Sequence, residues 1–352
     1  MAVKQIYLVR HCESEGNAVC RTQSEVDSLV TRKGVRQCEA LRERLHGVVF
    51  KEVWASDIYR AWFTADMVAK DHGLPVRFSS LLREVPLGVW EDMAWGNIAL
   101  EFPEAHRHWQ KTPWDLIQPG SGAFLESGAR LRYKLEQIAR SLAPGEKALV
   151  VSHSCVIRGA LCLLLGLPGE ELKKVPHGEN TSVSLLEWSE EGALTIRYLQ
   201  DDSHLTPELC RQTRGMKSED FHLAVYPAVE ERQKDLEQFR EIAEVASLGE
   251  TFAIGYLKGK PVGWIGLAAG EESGTVESLW VLPGLRGKGF GEQLLGYAIW
   301  RFRRLGLPKL VLKTAVTEER ISCLDRFLFE TDADGQAALN LEIPRAAGPV
   351  IA

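Results

Sequence analysis

Short apolar runs alternate with longer amphipathic stretches from the start of the chain to about residue 200. KQIYLV predicts a strand, TRKGVRQCEALRERLHG a helix, FKEVWAS a strand, YRAWFTADMVAKDHG a helix and PVRFSS a strand. After an irregular, Trp-rich segment, SGARLRYKLEQIARSLA reads as a helix, EKALVVS as a strand and CVIRGALCLLLGL as an apolar helix. Such alternation implies a largely parallel sheet covered on both faces. TSVSLLEW and ALTIRYLQ are nearer to period two and suit antiparallel additions at an edge. Beyond the polar stretch TPELCRQTRGMKS the order changes. A helix, AVEERQKDLEQFREIAEVAS, is followed by TFAIGYLKGKPVGWIGLA, a hairpin turning at Lys258-Gly259-Lys260. The strand GTVESLWVL then meets a Gly-rich turn and the helix GEQLLGYAIWRFRRLG, an α+β pattern separate from the first. The expected fold class is α/β. A three-layer α/β/α domain with a mostly parallel sheet spans 1–205, a linker 206–217 and an α+β domain 218–352.

Composition narrows the function. With 352 residues, two domains are the prior. A net charge of −6 argues against a sequence-blind nucleic-acid binder, and RFRR at Arg301–Arg304 reads as a solvated helix face. No run of about eighteen apolar residues offers a membrane span, and MAVKQIYLVRH meets Arg10 too soon for a signal peptide. Seven cysteines at irregular spacing form no CxxC or CxxH pair, which points to reduced thiols, a cytoplasmic location and no metal. Nothing in the sequence indicates the oligomeric state.

Several charged residues fall at predicted strand ends. LVRHCESEGN ends an apolar run on Arg10 and His11; ASDIYRAWFTA puts Arg60 in the first turn of a helix; LLREVPLGVWE carries Glu84; LVVSHSCVIRG carries His153. In an open α/β sheet such ends line one crevice. Guanidinium forks bind phosphate oxygens, a neutral imidazole attacks phosphorus, and a carboxyl group protonates the leaving alkoxide. These residues resemble the histidine phosphatase (phosphoglycerate mutase-like) superfamily. LVRHCESEGN is similar to its Arg-His-Gly signature, with Cys12 at the glycine; LVTRKGVRQCEAL, ASDIYRAWFTA, LREVPLGVWE and VVSHSCVIRG follow in the family's order over residues 3–205. The resemblance implies His11 as nucleophile, Glu84 as proton donor, and Arg10, Asn17, Gln23, Arg60, His153 and Ser154 around the phosphoryl group of a small phosphorylated metabolite. Cys12 adds a side chain where the backbone should approach phosphate closely, so a narrower pocket or a different φ/ψ is expected, and an inert thiol is favoured over an acidic, oxidisable one. The PGGES segment of the family survives only as PGSGAFLES. Hydrolysis is favoured over phosphomutase chemistry because about 200 residues leave no room for the mutases' insertions. Trp90, Trp95, Trp109 and Trp114 fall beside the substrate, although such rings more commonly pack than stack on ligands.

VLPGLRGKGFGEQLL brings glycines between a strand and an amphipathic helix, where backbone N–H groups and the helix start favour an anion. Arg286-Gly287-Lys288-Gly289-Phe290-Gly291 resembles the pyrophosphate loop of GCN5-related N-acetyltransferases (GNAT), VESLWVLP resembles that fold's central strand, and KLVLKTA the strand that splays from it. The resemblance spans about 220–343. It implies acetyl-CoA held at the loop, with Leu279, Val281 and Leu282 beside the pantetheine arm and an amine as acceptor. In CLDRFLFE, Leu324 replaces the family's tyrosine and Leu328 its glycine, while Glu277 is a candidate base. A module that only binds acyl-CoA and regulates the phosphatase is the alternative.

Overall fold

The computed structural model describes residues 3–115, 118–211, 217–228, 234–235, 251–312, 324–331 and 336–351. In the first part β1 (Lys4–Arg10), β2 (Glu52–Ala55), β3 (Val76–Ser79) and β4 (Lys147–Ser152) lie parallel in the order β3-β2-β4-β1. The strands β5 (Val183–Trp188) and β6 (Leu194–Asp201) extend the sheet antiparallel beyond β1. Side-chain alternation explains the covering on both faces. Ile6, Leu8, Ala148 and Val150 pack against α6 (Phe124–Ser141) and α7 (Ser154–Leu164). Val9, Leu149 and Val151 pack on the other side with α2 (Arg32–Leu45) and α3 (Tyr59–His72). Shorter helices, α1 (Glu15–Ala18), α4 (Trp95–Glu101) and α5 (Pro103–Lys111), stand over the strand ends.

The second sheet contains β7 (Ala224–Pro227), β8 (Thr251–Leu257), β9 (Lys260–Ala269), β10 (Ser273–Val281), β11 (Lys309–Leu312), β12 (Glu330–Thr331) and β13 (Ala337–Asn340), in the order β12-β13-β11-β10-β9-β8-β7. The β8–β9 hairpin turns at Lys258 and Gly259, which both have positive φ, 52° and 75°. The helix α8 (Phe290–Arg304) packs on this sheet through Leu294, Ala298 and Phe302. The helix expected over 228–247 lies almost wholly outside the described residues.

Two sets of contacts bear on how the expected units are joined. Of the stretch read as a linker, residues 206–211 lie against the first unit: Leu209 is buried, Gln37 donates to its carbonyl at 2.7 Å, and Lys33 donates to that of Cys210. The unit expected to run to residue 352 does not hold its own end. A last strand, β14 (Val350–Ile351), pairs in parallel with β3 at the edge of the first sheet, and Ile343 and Ala346 pack on the first unit's clusters.

The two parts meet over a close-fitting contact. Asn97 on α4 exchanges hydrogen bonds with the backbone of Val225, 2.9 and 3.2 Å. Ala18 and Val19 are built into the second unit's apolar core, and the Arg21 guanidinium lies 4.7 Å from the Trp300 ring centroid. At Gly96 the backbone of Leu223 comes so near that a Cβ would sit 2.1 Å from its carbonyl carbon. Gly96→Ala therefore forces the α4–β7 contact apart. It is expected to lower the urea midpoint by an amount equivalent to about 1–3 kcal/mol, and an unchanged midpoint would refute the tight fit.

Candidate active sites

Parallel pairing of β1 with β4 sets Arg10 opposite Ser152, so the residue that follows each strand is a histidine beside a histidine. The rings of His11 and His153 are 5.1 Å apart, centroid to centroid. The His11 Nδ1–H donates to the Cys12 carbonyl at 2.7 Å, which leaves Nε2 with the lone pair. His153 caps α7 and is fully buried, yet neither of its ring nitrogens has a partner, and the Arg10 Nε is likewise buried and unpartnered. Buried donors without partners mark a place built for an additional acceptor.

Around the rings stand the cations. Arg10 donates to the Gly178 carbonyl at 2.7 Å; burial, then Arg211, lowers its pKa to about 10, so it stays charged at neutral pH. Arg60, also buried, holds the 23–26 loop through the carbonyls of Gln23, Ser24 and Val26, with Asp27 3.7 Å away. Burial and the nearby Arg60 push both histidines well below the ordinary imidazole value; Arg10 adds to this at His11, and His11 itself at His153. Both rings are thus neutral at pH 7.

The Glu84 carboxylate sits at the start of α7. Oε1 accepts from Val85 and Val156 at 2.9 and 2.8 Å, whereas Oε2 accepts only from Cys155, at 3.0 Å. Arg130 fixes this segment through the carbonyls of Ser80, Arg83 and Glu84. Asn17 completes the capping box of α1 with Ser14, and Gln23 accepts from Ser14 and Ser28 at 3.1 and 3.0 Å. His11, Arg10, Asn17, Gln23, Arg60, Glu84 and Ser154 all line one cavity of about 340 Å³. A larger interdomain cleft of about 700 Å³ shares Gly16, Arg21 and Gln23 with it but is lined by neither histidine. Of the four tryptophans, Trp95 and Trp109 reach the cavity; Trp90 is buried among Trp95, Phe102 and Trp109, and Trp114 packs on the core beside α6.

Cys12 does not crowd the site. Its side chain is fully buried with Leu29, Val30, Cys38 and Tyr59, while its N–H donates to Thr64. Other thiols line the cavity, and burial pushes Cys20 up to about 12 and Cys155 higher still. Sequence reasoning passed over Asn180, which donates to the His11 carbonyl at 2.9 Å and to Asn17 at 3.2 Å. The signal was there, since Asn180 lies just ahead of the strand that flanks β1, with only Thr181 and Ser182 between. It also passed over Arg211 and Arg326, for which the first unit's motifs hold no sign.

In the second unit, Gly287 and Gly289 have φ of 72° and 81°, a conformation that side chains disfavour. Nothing lies within 4 Å of a Cβ built on Gly287, and α8 starts at Gly289 without a side-chain cap. The first-turn N–H groups of such a helix lack intrahelical partners, so the loop suits an anion. Arg286 braces it through the Val281 carbonyl, 3.2 Å, and Lys288 through that of Gly284, 3.3 Å. Phe290 is buried against Phe221, and Gly291 lies beside Leu279. The Leu282 N–H is taken up by the Val262 carbonyl, so that residue offers a ligand only its carbonyl and side chain. Glu277 falls at a break in register between β10 and β9, a bulge that re-aims side chains. Leu324 and Leu328 pack on the apolar core.

A family model of the histidine phosphatase superfamily (branch 1) matches residues 6–202, and one of the acetyltransferase (GNAT) family matches 217–324. Among curated relatives, the probable phosphoglycerate mutase GpmB of Salmonella choleraesuis (strain SC-B67) is 30% identical over 205 residues, 57% of this chain and 94% of its own length. Among solved structures, Bacillus stearothermophilus YhfR is 28% identical with a TM-score of 0.55, over 57% of this chain and 98% of that one. A putative alpha-ribazole-5'-P phosphatase from Escherichia coli str. K-12 substr. MG1655 is 25% identical with a TM-score of 0.51, over 56% and 96%. No helix among the described residues is long and apolar enough to cross a membrane.

Neutral buried imidazoles carry a consequence for stability. The unfolded chain takes up protons near pH 6.5, while the folded pKa values of His11 and His153 lie well below that. Their contribution is therefore intact above pH 6.5 and is lost as pH falls toward the folded values. Replacing both by Asn should flatten the acid decline of the urea midpoint, by up to about 2.7 kcal/mol per pH unit for the pair. Parallel declines in the two proteins would mean that the rings protonate freely.

Proposed function

Because the chain belongs to the histidine phosphatase superfamily (branch 1) and carries a GNAT-family domain after it, we propose that it hydrolyses a small phosphorylated metabolite through a phosphohistidine and binds acetyl-CoA in its second unit. The proposed units are 1–205, joined through 206–217, and 218–352, with the tail returned to the first sheet. The supporting observation is His11, neutral, with Nδ1–H engaged and Nε2 carrying the lone pair, beside His153 and between Arg10 and Arg60.

The lone pair on Nε2 attacks phosphorus as the ester P–O bond breaks. Glu84, which enters the step as the neutral acid with its proton on Oε2, gives that proton to the departing alkoxide and is left a carboxylate. Glu84 then takes a proton from water, whose oxygen forms the new P–O bond as the P–N bond breaks. Inorganic phosphate leaves and the lone pair returns to Nε2. Arg10, Arg60, Asn17, Gln23, Ser154 and His153 hold the phosphoryl oxygens, the arginines offsetting the charge that spreads over them. None of these steps calls for a metal. Phosphomutase chemistry shares the first half and is favoured by the likeness to the probable phosphoglycerate mutase GpmB; the likeness to the putative alpha-ribazole-5'-P phosphatase favours hydrolysis. The two differ in product, free phosphate against an isomerised phosphoester.

His11→Ala should remove more than about 10³-fold of kcat and abolish acid-labile radiolabelled phosphoprotein. Retention of that label in the variant sinks the mechanism. Glu84→Gln should cost about 10²–10⁴-fold with alkyl phosphates and much less with p-nitrophenyl phosphate, whose leaving group needs no proton. Equal losses would deny Glu84 the role of acid.

The backbone of Gly287, Lys288, Gly289, Phe290 and Gly291 would hold the pyrophosphate of acetyl-CoA, braced by Arg286, with Leu279, Val281 and Leu282 along the pantetheine. Bound there, the group supplies an acetyl thioester. Glu277 is the candidate base that draws a proton from an incoming amine. With Leu324 in the family's tyrosine position, a module that only binds acyl-CoA and regulates is the second reading. Gly289→Val, strained at φ 81°, should weaken acetyl-CoA binding at least about tenfold by calorimetry. Unchanged affinity would place the cofactor elsewhere.

A further inference from the structure

The phosphatase cavity is not lined by the first unit alone. Arg211 from the packed connection, and Phe221, His222 and Arg326 from the second unit, line the same space as His11 and Glu84. Arg326 is fixed by a forked contact with Glu13, 3.2 and 2.9 Å. The N–H of Arg211 donates to the Glu179 carboxylate at 2.9 Å, while the residue itself remains exposed. Its positive charge reaches Arg10, Cys20, Cys155, His177 and His222, all of which line the cavity.

Charge matching gives this wall a meaning. Two guanidiniums, Arg10 and Arg60, already balance a phosphoryl dianion. Of the nearby carboxylates, Glu84 is occupied by backbone N–H groups, Glu13 by Arg326 and Lys33, Asp27 by the Ser28 and Tyr59 N–H groups beside Arg60, and Glu179 by the Arg211 backbone N–H. Arg211 adds a third cation beyond what the reacting phosphoryl group needs. We propose that Arg211 is a specificity-determining residue, which selects phosphomonoesters whose leaving group carries a second anionic group, a carboxylate or another phosphate. The proposal rests on the phosphatase reading above, and it makes the substrate site a joint product of both units.

The test uses the whole chain and matched substrate pairs: phenyl phosphate against 4-carboxyphenyl phosphate, and propyl phosphate against propane-1,3-diol bisphosphate. The wild-type chain should prefer the more anionic member of at least one pair by about tenfold or more in kcat/KM, and the responding pair tells carboxylate from phosphate. Arg211→Ala should collapse that preference mainly through KM, and Arg211→Lys should restore part of it. No preference in the wild-type chain overturns the proposal. So does an equal loss on both members of a pair, which would make Arg211 part of the phosphoryl clamp. Failure of the wild-type chain to hydrolyse any of the four esters or p-nitrophenyl phosphate overturns the phosphatase reading itself, and the proposal with it.

Discussion

The pairing of β1 with β4 is the constraint on which the candidate phosphatase site depends. A parallel ladder with Arg10 opposite Ser152 leaves the next residues, His11 and His153, side by side at the sheet's carboxyl edge. A slip of one residue would turn one of the pair into the apolar layer. The same edge gives Arg60 from the helix after β2 and Glu84 from the turn after β3. Burial beside two guanidiniums then removes the proton from both imidazoles. Position and nucleophilicity thus follow from one sheet register.

A second constraint acts just after His11. Glu13 and Glu15 are both buried, a costly arrangement unless each finds a cation. Each does so in the other unit: Glu13 pairs with Arg326 and Glu15 with Arg303, the latter at 3.0 Å. The outcomes differ. Burial raises the Glu13 carboxyl, but Arg326 and Lys33 together hold it below its ordinary value. At Glu15 burial wins over Arg303, and the carboxyl stays raised. Arg32 adds hydrogen bonds to the carbonyls of Phe327 and Phe329. The segment that follows His11 is therefore clamped by side chains of the second unit, and the start of α2 by its backbone.

Most of the first site was legible because its residues follow apolar runs whose period is plain. Arg10, His11, Glu84 and His153 sit where strands stop, and the carboxyl ends of parallel strands share one edge. The glycine loop was legible for a similar reason, since only a backbone with positive φ at Gly287 and Gly289 makes that turn. Cys12 misled because sequence position says nothing about which way a side chain leaves the backbone; it joins the cluster around Tyr59 instead of the phosphate position. Asn180, Arg211 and Arg326 escaped because long-range packing, rather than local pattern, brings them to the cavity. The crossing of β14 to the first sheet escaped because a two-residue strand leaves no period to read.

These contacts change what counts as the working unit. A fragment ending near residue 205 would retain the histidines, but Glu13 would lose Arg326, Glu15 would lose Arg303, and the apolar Ala18 and Val19 would face water. It would also lose β14 from the edge of β3 and Arg211 from the cavity wall. Among the described residues, Glu13 would keep only Lys33 and Thr31, and Glu15 would be left without a cation, both within four residues of the candidate nucleophile. The fusion is thus more than two catalysts on one string. Through Arg303 of α8 and Arg326, the second unit holds the segment that follows His11, so the geometry of the first site is set by both units.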